Sequence, residues 1–142
     1  LRYFVMSRRS SSPIVALEEN NRETKDACVC VIDADPAVRD SLVTLIDLSG
    51  LPVVAYPSAQ DFWKNVDDLV LRCILCEAEL PDGNGFELHR SLVKQHLEVP
   101  FALLVSGNSP VLYRRAQNAG IVHVYRKPLT NTVELLGFIE AH

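Results

Sequence analysis

Cys73-Ile-Leu-Cys-Glu77-Ala-Glu-Leu-Pro81-Asp-Gly-Asn-Gly85 is an apolar run of strand length that stops at a carboxylate and passes directly into turn residues. An uninterrupted apolar run reads as a parallel strand buried on both faces, and this one delivers Glu77 to the carboxyl edge of its sheet. Sites in open α/β sheets form along that edge. Upstream, Cys28-Val-Cys-Val-Ile-Asp33 ends in a second acid. Downstream, Phe101-Ala-Leu-Leu-Val-Ser106 and Val122-His-Val-Tyr-Arg-Lys127 end in a hydroxyl and an ammonium. Four strand ends thus offer Asp33, Glu77, Ser106 and Lys127.

Between these strands the apolar residues recur at helical spacing. Val38, Leu42, Leu45 and Ile46 form one face, with Arg39, Asp40 and Asp47 opposite, and Asp35 before Pro36 reads as an N-cap with proline at the first helical position. After a short strand at Val53-Val-Ala-Tyr56, Ser58 opens a second helix with Ala59, Phe62, Trp63 and Val66 inward. A third helix from about Gly85 to His96 turns Phe86, Leu88 and Leu92 inward and leaves His89 and His96 as solvated residues. Ser109-Pro110 opens a fourth, with Leu112, Ala116 and Ala119 inward. Asn131 with Glu134 opens a fifth, with Val133, Leu136 and Ile139 inward. Strand and helix alternate five times, which implies a doubly wound α/β fold with a parallel sheet and helices on both faces. The flavodoxin-like order 2-1-3-4-5 is the economical solution, and it sets Asp33 against Glu77 at the switch point.

Composition narrows the function. A net charge of −4 leaves no excess of cations to displace phosphate counterions, which argues against nucleic-acid binding by this domain. With 48% apolar and 23% charged residues the chain has an ordinary globular balance, and no apolar stretch approaches the length of a bilayer span. Nothing resembles a signal peptide, so a cytoplasmic, reducing setting is the expectation. The four cysteines, Cys28, Cys30, Cys73 and Cys76, sit in apolar runs and read as small buried hydrophobes. A thiol or metal sensor is the competing reading of their spacing. Residues 1–27 differ in character, with a basic serine-rich stretch and then a polar one, and read as a flexible extension before a domain at 28–142. Leu1-Arg-Tyr-Phe-Val is a candidate edge strand within it.

Taken in order, Val-Ile-Asp-x-Asp-x-x-Val-Arg-x-Ser-Leu from Val31, Tyr-Pro-Ser-Ala-x-x-Phe at 56–62, Leu-Pro-Asp-Gly-x-Gly at 80–85, Ser106-Gly107, Ala119-Gly120 and Arg-Lys-Pro at 126–128 resemble the receiver domains of two-component response regulators. The nitrogen-fixation (FixJ-like) type, in which a LuxR-type helix-turn-helix follows the receiver, is the subgroup resembled. The resemblance implies a CheY-like fold. It also implies a site in which two adjacent acids hold Mg²⁺, an aspartate takes a phosphoryl group from a histidine kinase, and a Ser/Thr and a Lys bind the phosphoryl oxygens. An aromatic three positions before the Lys reports the state. Asp33 matches the first acid, Ser106 the hydroxyl, Lys127 the ammonium and Pro128 the family's Lys-Pro bond, often cis. Ala34 stands where the second acid belongs, Glu77 where the phosphoacceptor belongs and Val124 where the aromatic belongs.

Those departures carry physical consequences. Mg²⁺ needs near-octahedral oxygen ligation, Ala34 brings no side-chain oxygen, and Asp35 falls one residue late and is occupied as a cap. The extra methylene of Glu77 displaces its oxygen, and a misplacement of about 1 Å costs on the order of a hundredfold in an in-line transfer. The expectation is a pseudo-receiver, not an enzyme, with Mg²⁺ binding weak or lost, that signals by protein contacts. The first alternative is a phosphorylation-competent receiver in a histidine kinase phosphorelay controlling transcription; the second is the cysteine sensor. The resemblance also puts Arg114, Arg115 and Arg126, with Glu134 and Glu140, on the family's dimer face, made by the fourth helix, fifth parallel strand and fifth helix. At the site the expectation is a direct Glu77 to Lys127 contact, the alternative being Glu77 pointing into solvent with Lys127 paired to Asp33.

Overall fold

The computed structural model of the chain describes residues 3–5 and 26–142. Its strands are β1 (Tyr3–Val5), β2 (Cys28–Ile32), β3 (Val53–Tyr56), β4 (Leu71–Glu77), β5 (Glu79–Leu80), β6 (Gly83–Asn84), β7 (Phe101–Ser106) and β8 (His123–Lys127). The α-helices are α1 (Pro36–Leu48), α2 (Ala59–Asn65), α3 (Gly85–Lys94), α4 (Pro110–Asn118) and α5 (Thr132–Glu140). The main sheet has the order β1-β3-β2-β4-β7-β8. Its parallel part follows the expected 2-1-3-4-5 order. To this β1 adds an antiparallel edge strand on β3, with Tyr3 opposite Ala55 and Val5 opposite Val53. Part of the expected flexible extension is therefore a strand; residues 1–2 and 6–25 lie outside the described residues. The turn expected after Glu77 contains a two-stranded hairpin, β5 with β6.

Alternation along the strands sorts the side chains into two cores. Cys30, Ile32, Ile74, Cys76, Leu103 and Val105 pack under Phe62 of α2, Phe86, Leu88 and Leu92 of α3, and Ala116 of α4. Val29, Val31, Leu75, Ala102 and Leu104 pack under Leu42, Val43 and Ile46 of α1 and under Leu135, Phe138 and Ile139 of α5. Each fully buried branched side chain contributes about 2 kcal/mol, so both faces of the sheet are required for stability. The caps expected from sequence are present. Asp35 accepts from the Ala37 N–H, Ser58 from Asp61, Ser109 from Leu112 and Asn131 from Glu134, while Gly50 closes α1 at φ +84°.

Some assignments of side chains to the inner or outer face change. Arg39, expected on the outer side of α1, is buried. Ala119 is exposed, and α5 buries Leu135, Phe138 and Ile139 while Val133 points outward. That helix is apolar nearly all round, so periodicity alone does not choose its face; the ring of Phe138 seated 4.7 Å from that of His123 does. His89 is half-buried with its ring 5.0 Å from that of Phe101, and burial pushes its pKa down.

All four cysteines are buried thiols. Cys73 faces the α1/α5 core and the other three face the opposite core, so the four do not converge on a common point. Burial raises the Cys30 and Cys76 thiols well above their usual range and Cys73 to about 12. Since the thiolate is the reacting form, native titration with Ellman's reagent should be slow, and four thiols should appear on denaturation. Rapid native reaction of two or more would contradict the packing.

Candidate functional site

Register brings the four strand ends together. Ile32 lies beside Cys76, Glu77 beside Leu104, and Ser106 beside Lys127, so the residues that end β2, β4, β7 and β8 share one edge of the sheet. The approach between β4 and α3 is close. The Gly85 N–H donates to the Ala78 carbonyl at 2.9 Å, and a Cβ at Gly85 would lie 2.6 Å from the Glu77 carbonyl oxygen, so only glycine fits there. In the following turn Asp82 accepts from the Ala59 and Gln60 N–H groups at 3.1 and 2.8 Å, tying the turn to the start of α2.

Asp33 is completely buried. Its Oδ1 accepts from the Asp35 N–H at 2.9 Å and its Oδ2 from Lys127 Nζ at 2.9 Å. Arg39 reaches back from α1, and its Nη1 donates to the Asp33 carbonyl at 2.7 Å. Glu77 accepts from the same ammonium through Oε1 at 3.0 Å and from the Ala34 N–H through Oε2 at 3.0 Å. The expected Glu77 to Lys127 contact is thus made, Lys127 also pairs with Asp33, and Glu77 does not point into solvent. Asp35 enters the site through its backbone, because its carboxylate is exposed and caps α1. The Lys127–Pro128 bond is cis, and Val124 packs against the core under α2 to α4.

Two carboxylates share one ammonium, and the balance is negative. Burial raises the Asp33 pKa; its hydrogen bonds from Asp35 and Lys127 oppose that, and the Glu77 charge adds to it. Burial works to lower the Lys127 pKa, but the hydrogen bonds and charges of Asp33 and Glu77 outweigh it and hold it above the usual lysine value. The Asp33 rise thus comes chiefly from burial, and the Lys127 rise from its two acidic partners.

Ser106 is exposed and lines, with Glu77, Leu104, Ser109 and Leu112, a cavity of about 340 Å³ beside the ion cluster. Its hydroxyl is not among the partners of Glu77. Arg114 and Arg126 are exposed on α4 and β8. Arg115 is not on the face assigned to it from sequence: its guanidinium lies 4.3 Å over the Phe86 ring, toward α3. Neither Arg39 nor the Ala34 N–H was anticipated. For Arg39 a signal existed, since a long side chain in the first turn of a helix leans back toward its N-terminus, where the acids lie. For Ala34 there was none, because the residue acts through its backbone.

The donor set does not suit Mg²⁺. Both oxygens of Asp33 and both of Glu77 are engaged by N–H donors, Ala34 presents an N–H where an oxygen is needed, and an ammonium sits between the carboxylates.

Residues 29–139 match the model of the response regulator receiver domain. The transcriptional regulatory protein FixJ of Bradyrhizobium diazoefficiens is 30% identical over 100 residues, 70% of this chain and 49% of that protein. The response regulator protein TmoT of Ectopseudomonas mendocina is 26% identical over 124 residues, 87% of this chain and 56% of that protein. The chain thus spans about half the length of these curated relatives. A crystal structure titled FixJ-N superposes with a TM-score of 0.72 at 26% identity, covering 84% of this chain and 97% of that one.

Replacing Lys127 with methionine removes the ammonium that the buried Asp33 and Glu77 share, which should cost about 3 kcal/mol in denaturant unfolding at neutral pH. That loss should shrink as the pH falls and the acids protonate. Asp33→Asn should do the reverse. A raised acid favours folding in its protonated form and loses that advantage as pH rises from about 3.9 through its folded value, so the amide should raise Tm at neutral pH and not at acid pH. A neutral-pH Tm lowered by Asp33→Asn would contradict the charge balance.

Proposed function

This chain belongs to the response regulator receiver domain family, and on that premise we propose that it signals without phosphorylation, as a pseudo-receiver acting through protein contacts. The observation that carries the reading is the position of Glu77. Its carboxylate stands where the family's phosphoacceptor belongs, and both of its oxygens are already bound, one by Lys127 and one by the Ala34 N–H. A carboxylate nucleophile must present a lone pair in line with the incoming phosphorus, and the developing charge must be offset by a metal. Here each oxygen already accepts one hydrogen bond that holds the carboxylate in place, and Ala34 withholds a metal ligand. The ammonium that would greet a phosphoryl oxygen greets the longer glutamate instead.

On this reading the Glu77 to Lys127 contact is a permanent setting of the end of β8, from which Arg126 and α5 follow. The readout surface is the exposed side of α4, β8 and α5, where Val111, Val122 and Val133 are more than two-thirds exposed among Arg114, Arg126, Glu134 and Glu140. It takes a protein partner or a second copy of the chain. A histidine kinase would then be a docking partner and not a donor, and the output, by analogy with relatives named as transcriptional regulators, belongs to a longer regulatory protein. Burial and divergence of the cysteines weigh against the thiol-sensor alternative.

Incubation with Mg²⁺ and acetyl phosphate should leave the intact mass unchanged. The double variant Ala34→Asp/Glu77→Asp, which restores both the missing ligand and the shorter nucleophile, should gain the mass of one phosphoryl group. A stable adduct mapping to Glu77 in the unaltered chain would establish the phosphorylation-competent alternative.

A further inference from the structure

The receiver domain match begins at Val29, yet the sheet has a strand before it. Without β1, the parallel sheet would end at β3, whose residues Val53, Val54, Ala55 and Tyr56 are all within 2% of full burial. An apolar edge strand with a free row of backbone donors and acceptors is a template for pairing with another chain. β1 fills that row antiparallel, over three residues.

The connection from β1 to the domain is much longer than its path requires. Val5 and Val29 are both in register with Val53, so the end of β1 and the start of β2 lie at the same level, two strand spacings or about 10 Å apart. The 22 residues numbered 6–27 could extend to about 70 Å. A connection of that many residues is long enough to join β1 to its own β3 and also to reach the β3 edge of a neighbouring molecule, and linked segments of this kind compete at effective concentrations on the order of millimolar. Reciprocal exchange between two identical chains closes with two-fold symmetry and leaves neither β3 edge open.

The geometry points to the outer edge of β3 as a strand-acceptor site, occupied in cis by β1 and, at high concentration, in trans by β1 of a second copy of the chain. The cis strand acts as a competitor that keeps dilute protein monomeric, and the partner is recognised by main-chain hydrogen bonds.

Successive N–H groups along a strand point to opposite sides, so Phe4→Pro/Val5→Pro removes one that faces β3 whichever way the pairing is phased. A fluorescent synthetic peptide of residues 1–6 should bind this variant and show at least tenfold weaker binding to the unaltered chain, whose edge is already filled. Small-angle scattering of the unaltered chain should show a monomer at micromolar and a growing dimer near millimolar concentration, and the proline variant should not dimerise. A folded variant that ignores the peptide, equal binding to both chains, or an unaltered chain that stays monomeric near millimolar concentration would each overturn the proposal. Should the variant unfold, hydrogen exchange on the unaltered chain decides: the outward amides of Val53–Tyr56 should be protected, and exchange at the rate of exposed loops would overturn it.

Discussion

One ammonium between two carboxylates is the constraint on which the functional edge depends. Lys127 Nζ sits 2.9 Å from Asp33 and 3.0 Å from Glu77, and it arrives there because β8 is the last strand of a sheet whose other ends supply the acids. A fully buried aspartate is tolerated only with its oxygens satisfied, and the supporting contacts are accordingly local and rigid: the Asp35 N–H on Oδ1, the Arg39 guanidinium on the carbonyl, and the turn between β2 and α1 that results. That turn places the Ala34 N–H against Glu77. Each contact therefore presupposes the others, as expected of a buried polar network.

The same network shows how the longer acid at position 77 and the absence of a side-chain acid at position 34 fit together. With an acid at position 34, three carboxylates would crowd one lysine, and a divalent cation would be the economical neutraliser. Alanine removes one charge and exposes a backbone donor. Glutamate is then long enough to span from that donor to the ammonium. The oxygens of both carboxylates are satisfied by the protein's own donors, Lys127, the Asp35 N–H and the Ala34 N–H. The adjacent cavity has Ser106 and Ser109 on its wall.

Much of this architecture was legible because it is written in local rules. The apolar runs of β2, β3, β4 and β7 are buried on both faces as uninterrupted strands must be, while β8 is only partly buried, and the cap residues Asp35, Ser58, Ser109 and Asn131 make the bonds their types suggest. The Glu77 to Lys127 contact was legible from chain order and charge. The rest depended on tertiary choices that periodicity does not encode. In α5, apolar residues on nearly every side left the inner face to be selected by contact with His123 and Tyr125. Arg115 turned toward Phe86, away from the face shared with Arg114, because an aromatic ring from a neighbouring helix lay within reach. Arg39 looked like a solvated charge until the acid at the end of β2 gave it a carbonyl to bind. Pairing of β1 with β3 involves segments some fifty residues apart and no distinctive side chain.

The claim that a lysine has replaced the metal is tested most directly by following the Nζ resonance of Lys127 by nitrogen NMR while Mg²⁺ is titrated to millimolar concentration. The account expects the resonance and its couplings to Asp33 and Glu77 to stay unchanged throughout. A saturable shift that breaks the Lys127 to Asp33 hydrogen bond as Mg²⁺ enters would show that the ammonium is only a placeholder, and would contradict it.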